Sequence, residues 1–361
     1  MNDYSDSQRD EIIETKPPHE NLGQTTFRAD DALPEVSPPN SKFLMQLFVI
    51  PFVIVAGAVL VVMIPKFLSH LDVSPDERLN QMAGGSQITW QTAYNLAKDL
   101  QDTRQQHLRS DPQFATQLVA LLDQQMKTEA MDNDSIRLRS FLCRAIGLLE
   151  IEDGLPILLR AATTEREPAE IQVRIFAVEA IAQAIDNIGV ENLSDPESVQ
   201  QVLLEAVKPR PDDKEMAELI DQLRSRGAFA LGVLGSEDSL EILANLTSDQ
   251  ANDVRYNAAL GLARQGDERA MPVLMTMLDP SDLGGLEKTN PRFQEGHKTL
   301  VMGNGLKACI LLAKQNESLD LTEMSQQVDQ MLKEPLPLEV RDEALRLQKI
   351  LRDDQAHRVQ S

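Results

Sequence analysis

The sequence has few aromatic residues and almost no cysteine. Aromatic side chains make up 4% of its 361 residues, so a core must be built from Ala, Leu, Ile, Val and Met. That composition favours packed helices over sheets, because strands are enriched in aromatic and β-branched residues. The two cysteines, Cys143 and Cys309, lie far apart in the sequence. They exclude a disulfide scaffold and a zinc site built mainly from thiolates.

Positive charge is also scarce. The chain has 57 Asp plus Glu against 35 Lys plus Arg, which gives a formal net charge of −22. Such a chain repels a polyanionic phosphate backbone, so nucleic acid is not an expected partner. An acidic surface favours basic or neutral protein partners instead. The length is too great for one small core and predicts two domains or an extended array.

Motifs that carry catalysis or hold a cofactor are missing from the sequence. There is no HExxH, no CxxC and no glycine-rich phosphate loop. The only His-Glu pair, His19-Glu20, lies in the first 42 residues, which are acidic, contain several prolines and are predicted to be disordered. We therefore expect no cofactor, no metal and no catalysis.

The longest apolar run covers residues 43–64, where Gln46 is the one clearly polar residue. As an α-helix, about 22 residues rise roughly 33 Å, which matches a hydrocarbon core of about 30 Å. The run is too long for the apolar part of a signal peptide, and a buried globular helix is rarely apolar on every face. Lys42 and Lys66 bracket the run. This pattern predicts a single transmembrane helix in a bacterial inner membrane, with the N-terminal tail inside and the rest of the chain outside.

From Ile88 onward the pattern is helical and repeats itself. Leu223 begins LRSRGAFALGVLGSEDSLEIL, and 31 residues later Val254 begins VRYNAALGLARQGDERAMPVL. Each segment opens with an aliphatic residue and an arginine, continues with small residues, and turns at a glycine before a second apolar helix. Self-similarity of this kind indicates stacked helix pairs. The same frame recurs, less clearly, at Leu138, Val173, Val301 and Val340.

This pattern resembles the HEAT repeat family, particularly the short bacterial type also seen in phycobilin lyase subunits. The resemblance implies an all-α fold, a right-handed α-solenoid of stacked antiparallel helix pairs that binds other proteins. The predicted function is a membrane-anchored scaffold or adaptor with protein partners of unknown identity. The alternative is an enzyme or chaperone of bilin-type cofactor attachment, which depends on fold resemblance only. The predicted organisation is a disordered tail (1–42), a transmembrane helix (43–65), a linker (66–87), a helical repeat domain (88–354) and a short tail (355–361).

Some residues belong to the repeat frame itself. The repeated arginines are either a binding ladder or partners for nearby acids and helix carboxyl ends, and we favour the second interpretation. The turn glycines are expected to end helices in the left-handed conformation, and Asp267 or Asp238 to cap the next helix. Leu260 is expected in the core. The predicted structural set is Arg139, Arg174, Arg224, Arg255, Arg341, Gly235, Gly266 and Asp267.

Two irregular stretches interrupt the repeat period. One contains KPRP at residues 208–211, and the other, DPSDLGGLEKTNPRF, begins at Asp279. Insertions in solenoids map to loops on one face, which is often the binding face. The predicted partner-binding residues in these loops are Lys208, Arg210, Asp282, Lys288 and Arg292.

Overall fold

The structure is a computed structural model whose described part falls into two compact units, residues 1–72 and 73–361. The tail that the sequence predicts to be disordered lies outside the described residues, except for Lys42. The structure describes residues 42, 45–68, 74–85, 88–166, 168–209, 215–281 and 290–360.

The first unit contains the α-helix α1 (Ile50–Leu68), which directly follows a π-helical turn at Met45–Val49. Pro51 has no amide hydrogen, so it cannot donate the backbone hydrogen bond that an α-helix requires at that point. The wider turn therefore lies where the α-helical ladder is weakest. The described side chains of α1 up to Val61 are exposed or half-buried.

The prediction of a transmembrane helix at 43–65 is wrong. Across the part of the chain that the structure describes, no helix combines the length and the apolar character needed to cross a membrane. The apolar run is not one continuous α-helix, because residues 45–49 form a π-helical turn. From Ile50 to Ile64 the apolar part of α1 rises only about 22 Å, which is less than a hydrocarbon core of about 30 Å. The predicted membrane location and orientation are wrong with it.

The second unit is built from helices, and within its described residues there is no strand. The prediction of an all-α fold is confirmed. Its helices are α2 (Pro75–Ala83), α3 (Trp90–Leu100), α4 (Gln106–Arg109), α5 (Pro112–Met126), α6 (Asn133–Gly147), α7 (Leu155–Thr163), α8 (Ile171–Ile188), α9 (Pro196–Ala206), α10 (Ala217–Leu234), α11 (Glu237–Leu246), α12 (Asn252–Arg264), α13 (Met271–Met277), α14 (Pro291–Gln315), α15 (Thr322–Met331) and α16 (Leu338–Gln360).

Helix α2 lies within the segment that the sequence predicts as a linker, 66–87. The Ser74 hydroxyl accepts a hydrogen bond from the Glu77 amide at 3.2 Å and caps its first turn. Leu79 and Met82 are fully buried on one face of the helix. A helix of only 9 residues shows too little periodicity to be recognised in a stretch with proline and paired glycines.

The helices of the second unit form two layers. An inner row consists of α3, α6, α8, α10, α12, α14 and α16, and each of these packs against the next. The outer helices α5, α7, α9, α11, α13 and α15 each pack against the inner row. Stacked pairs of this kind, in which each pair contacts mainly its neighbours, are the arrangement of an α-solenoid.

Small residues allow neighbouring inner helices to approach closely. Gly147 of α6 faces Ala180 of α8, and Gly232 of α10 faces Gly261 of α12. A Cβ atom added to Gly147 would lie 2.7 Å from the Cα of Ala180, closer than packed atoms allow. The small residues of the repeat frame are thus required by backbone contact between successive pairs.

Candidate binding groove

The most deeply buried frame arginine is Arg139, which lies in the core at 0% exposure. Its Nη1 donates to the carbonyl oxygen of Ala130 at 3.0 Å and to that of Gln125 at 3.5 Å. Its Nε lies 3.6 Å from the buried carboxylate of Glu170, which also pairs with Arg166 at 3.0 Å. The guanidinium thus holds carbonyl groups near the end of α5.

Three further frame arginines make the equivalent contact. Arg174 donates to the Ala162 carbonyl at 3.0 Å, Arg224 to the Val207 carbonyl at 3.1 Å, and Arg255 to the Asp249 carbonyl at 2.7 Å. Each carbonyl lies at or just beyond the end of the preceding outer helix, where backbone acceptors have no partner within the helix. A cation at that end is also favoured by the helix dipole. Arg341 differs, since its side chain is exposed.

The turns between paired helices follow the frame. Gly235 and Gly266 have φ of 67° and 75°, in the left-handed region that favours glycine. Ser236, and not Asp238, caps α11 by accepting from the Ser239 amide at 3.2 Å. Asp267 accepts from the Arg269 amide at 3.0 Å and from its guanidinium. The side-chain hydrogen bond from Arg269 lowers the pKa of Asp267.

The residues that the sequence predicts for partner binding are not brought together into a described site. Lys208 is exposed and pairs with Glu205 of α9. Arg292 is exposed in the first turn of α14. Their role in binding stays a prediction. The other three, Arg210, Asp282 and Lys288, lie outside the described residues.

A different surface has the shape of a binding site. The inner row forms a groove of about 520 Å³ that crosses five helices, from α6 to α14. Its lining side chains are spaced three or four residues apart along each helix, so they occupy one helical face. Across the groove these residues include Arg144, Leu148, Phe176, Glu179, Gln183, Asp186, Arg226, Phe229, Val233, Asn257, Leu260, Arg264, Asn304, Lys307 and Leu311.

The groove is made from frame positions that change chemical character between repeats. They lie three, six and ten residues after the aliphatic residue that opens each repeat. The positions where neighbouring inner helices touch, by contrast, hold small residues, at Gly147 and Ala180 and at Gly232 and Gly261. The three groove positions are Phe176, Glu179 and Gln183 in α8, Arg226, Phe229 and Val233 in α10, and Asn257, Leu260 and Arg264 in α12.

Leu260 does not lie fully in the core, contrary to the expectation from its apolar character. It is half-buried and lines the groove. The sequence of the repeats indicates that Leu260 is partly exposed, because Phe229 and Arg144 occupy the equivalent position in other repeats. A position that accepts an arginine, a phenylalanine and a leucine faces solvent on one side.

Aromatic residues are concentrated near the groove. The rings of Phe141 and Phe176 lie 5.9 Å apart, and Phe176 lines the groove. Phe141 also contacts Tyr94 at 5.3 Å and Trp90 at 6.2 Å, so the aromatic row extends from α3 to α8. Phe229 lies two helices beyond Phe141 and is 39% exposed in the groove. These five residues are a large share of the aromatic residues after position 73, which are Trp90, Tyr94, Phe114, Phe141, Phe176, Phe229, Tyr256 and Phe293.

Residues 214–284 match the family described as HEAT repeats. This segment contains α10 to α13 and therefore the two clearest copies of the frame, which begin at Leu223 and Val254. The match supports the predicted HEAT repeats there. Comparison with curated proteins gives no match to the chain.

Proposed function

We propose that this chain is a scaffold whose inner groove binds a segment of another protein and that it has no catalytic activity of its own. The observation that carries the proposal is the composition of the groove. Its positions differ in size and charge from repeat to repeat, whereas the positions where neighbouring inner helices touch hold small residues. HEAT repeats generally mediate protein–protein interactions, and a groove of this kind gives each repeat a separate contact with an elongated partner.

The side chains available in the groove suit protein recognition. Aromatic residues and arginine are enriched at protein interfaces, where they supply much of the binding energy. Phe176 and Phe229 offer apolar surface, while Arg144, Arg226 and Arg264 offer charge. The alternative function, attachment of a bilin-type cofactor, has no observation in its favour.

Site-specific photo-crosslinking in cells tests the proposal. A photoreactive phenylalanine replaces Phe229 in the groove or, as the control, Phe293, which is 60% exposed on α14 and does not line the groove. We expect a discrete crosslink to another protein from position 229 and none from position 293. Crosslinks of equal yield from both positions, or from 293 alone, would show that the groove is not the binding surface.

A further inference from the structure

The groove has the opposite sign of charge from the chain as a whole. Although the formal net charge is −22, the groove is lined by more basic than acidic residues. Its acids are Glu179 and Asp186. Its basic residues are Arg144, Arg226, Arg264 and Lys307.

Both acids of the groove are neutralised by basic residues of the groove. Arg226 pairs with Glu179 at 3.3 Å, which links α10 to α8. Arg264 pairs with Asp186, which links α12 to α8. These pairs leave the groove with two basic side chains whose charge is not compensated within it.

The two uncompensated charges lie at opposite ends of the groove. Arg144 is exposed on α6, and Lys307 is exposed on α14. Within the described residues neither forms an ion pair or a hydrogen bond. Between them lie the apolar side chains of Phe229, Val233 and Leu260. Apart from the two ion pairs and the amides of Gln183 and Asn257, the pattern along the groove is therefore basic, apolar, basic.

The charge of the surface changes from basic to acidic beyond Lys307. A neighbouring cavity between α14 and α16 shares Lys307 with the groove and is also lined by Arg346. Its acidic residues are Glu339, Asp342 and Glu343. An acidic ligand is repelled by this second cavity, so Lys307 marks the end of the surface that favours negative charge.

We infer that the partner segment is acidic at both ends and apolar or aromatic in the middle. This inference rests on the proposed function and adds the chemistry of the partner. Its acidic groups pair with Arg144 and Lys307, and its central side chain packs against Phe229 and Leu260. Complementary charges at the two ends fix the position of the segment along the groove and increase its association rate.

The length of the segment follows from the helix row. Packed helices are about 8–10 Å apart, so four steps from α6 to α14 cover at most about 40 Å. An extended chain rises roughly 3.3 Å per residue, so about twelve residues reach from one end to the other. The overall net charge of the chain predicts a basic partner, but the charges of the groove itself indicate an acidic one.

Selection from a phage-displayed library of random peptides of about twelve residues, on the full-length chain, tests this inference. The affinities of the selected peptides are then measured by fluorescence anisotropy at low and high salt. The measurement is repeated on the double variant Arg144→Glu, Lys307→Glu. Lys333→Glu is the charge control, since Lys333 is exposed beyond α15 and does not line the groove. Circular dichroism verifies that all variants keep their helical content.

We expect the selected peptides to carry Asp or Glu towards both ends and Phe or Leu between them. The double reversal should weaken their binding by roughly tenfold or more, since two favourable charge contacts become repulsive. The Lys333→Glu variant should bind as the unmodified chain does, and added salt should weaken binding to both.

The possible results separate this inference from the proposed function. Basic peptides whose binding is lost in Phe229→Ala overturn the inference and leave the groove as the binding site. Acidic peptides that bind the double variant as tightly as the unmodified chain also overturn the inference. A selection that yields no peptide dependent on Phe229 contradicts both.

Discussion

Gly232 of α10 and Gly261 of α12 are in direct backbone contact. A Cβ atom added to Gly232 would lie 2.3 Å from the Cα of Gly261, and one added to Gly261 would lie 2.8 Å from the Cα of Gly232. No side chain fits at that separation. The contact lies on the floor of the groove, so the packing of the two repeats also sets the spacing of the groove residues they carry.

The replacement Gly232→Val should destabilise this part of the chain by about 2 kcal/mol, the usual cost of overpacking a close contact. Gly303→Ala in α14 is the control, because an added Cβ there meets nothing within 4 Å and alanine favours the helix. Thermal unfolding followed by circular dichroism gives the comparison. If Gly232→Val unfolds at the same temperature as the unmodified chain, the helices are not held in backbone contact.

Arg139→Met should cost about 3 kcal/mol, because it removes one partner of a buried charge and leaves Glu170 with Arg166 alone. Arg341→Met, the same change at the same frame position, should have little effect, since that side chain is exposed. Denaturant unfolding of the full-length chain measures both. Equal destabilisation by the two variants would mean that the buried contacts of Arg139 contribute nothing.

The two cysteines should resist modification in the folded chain. Both are buried, and desolvation raises the pKa of Cys143 and of Cys309 to about 12. At pH 8 an iodoacetamide or disulfide reagent should label neither until denaturant is added. A cysteine placed at exposed Gln117 should react at once. Because the thiols ionise more readily in the unfolded chain, stability should also fall as pH rises from about 8.5 towards 12. Rapid labelling of the native thiols would place them at the surface.

Acid should weaken the turn at Asp267. Its folded-state pKa is lowered by Arg269, so its contribution to stability is present above the ordinary value of 3.8 and is lost as pH falls through the folded pKa. Asp267→Asn keeps an oxygen acceptor for the turn but has no charge to lose. The variant should show a weaker dependence of stability on pH below about 4. The same acid dependence in the Asp267→Asn variant would assign it to other groups.

The sequence predicts those parts of the fold in which only one residue type fits a recurring position. Gly147 and Gly232 repeat because the backbone of the next inner helix touches each of them, and Gly235 and Gly266 repeat because the turns require positive φ. Four of the five frame arginines repeat because each reaches a carbonyl group at an outer helix end. A regular contact between pairs thus produces a regular sequence pattern, and the pattern reveals stacked helices.

The groove could not be predicted from the repeat pattern, because its residues do not share a chemical type. Phe229, Leu260 and Lys307 occupy one frame position, and the lack of a repeated residue type hides their shared exposure. The insertions between repeats predicted a binding site on loops, such as the one that contains Lys208, and not on the inner helices. The apolar run before the repeats predicted a transmembrane helix wrongly, because the hydrophobicity of a segment alone does not show how Pro51 changes its helix.

Calorimetric titration of the full-length chain with the protein captured at position 229 tests the central claim most directly. Phe229→Ala should weaken binding by at least roughly tenfold, as expected for an aromatic residue at the centre of an interface, while Phe293→Ala should leave it unchanged. Both rings are exposed, so neither change should alter the fold. Unchanged binding in Phe229→Ala, with a loss in Phe293→Ala, would contradict the assignment of the groove as the site where this scaffold holds its partner.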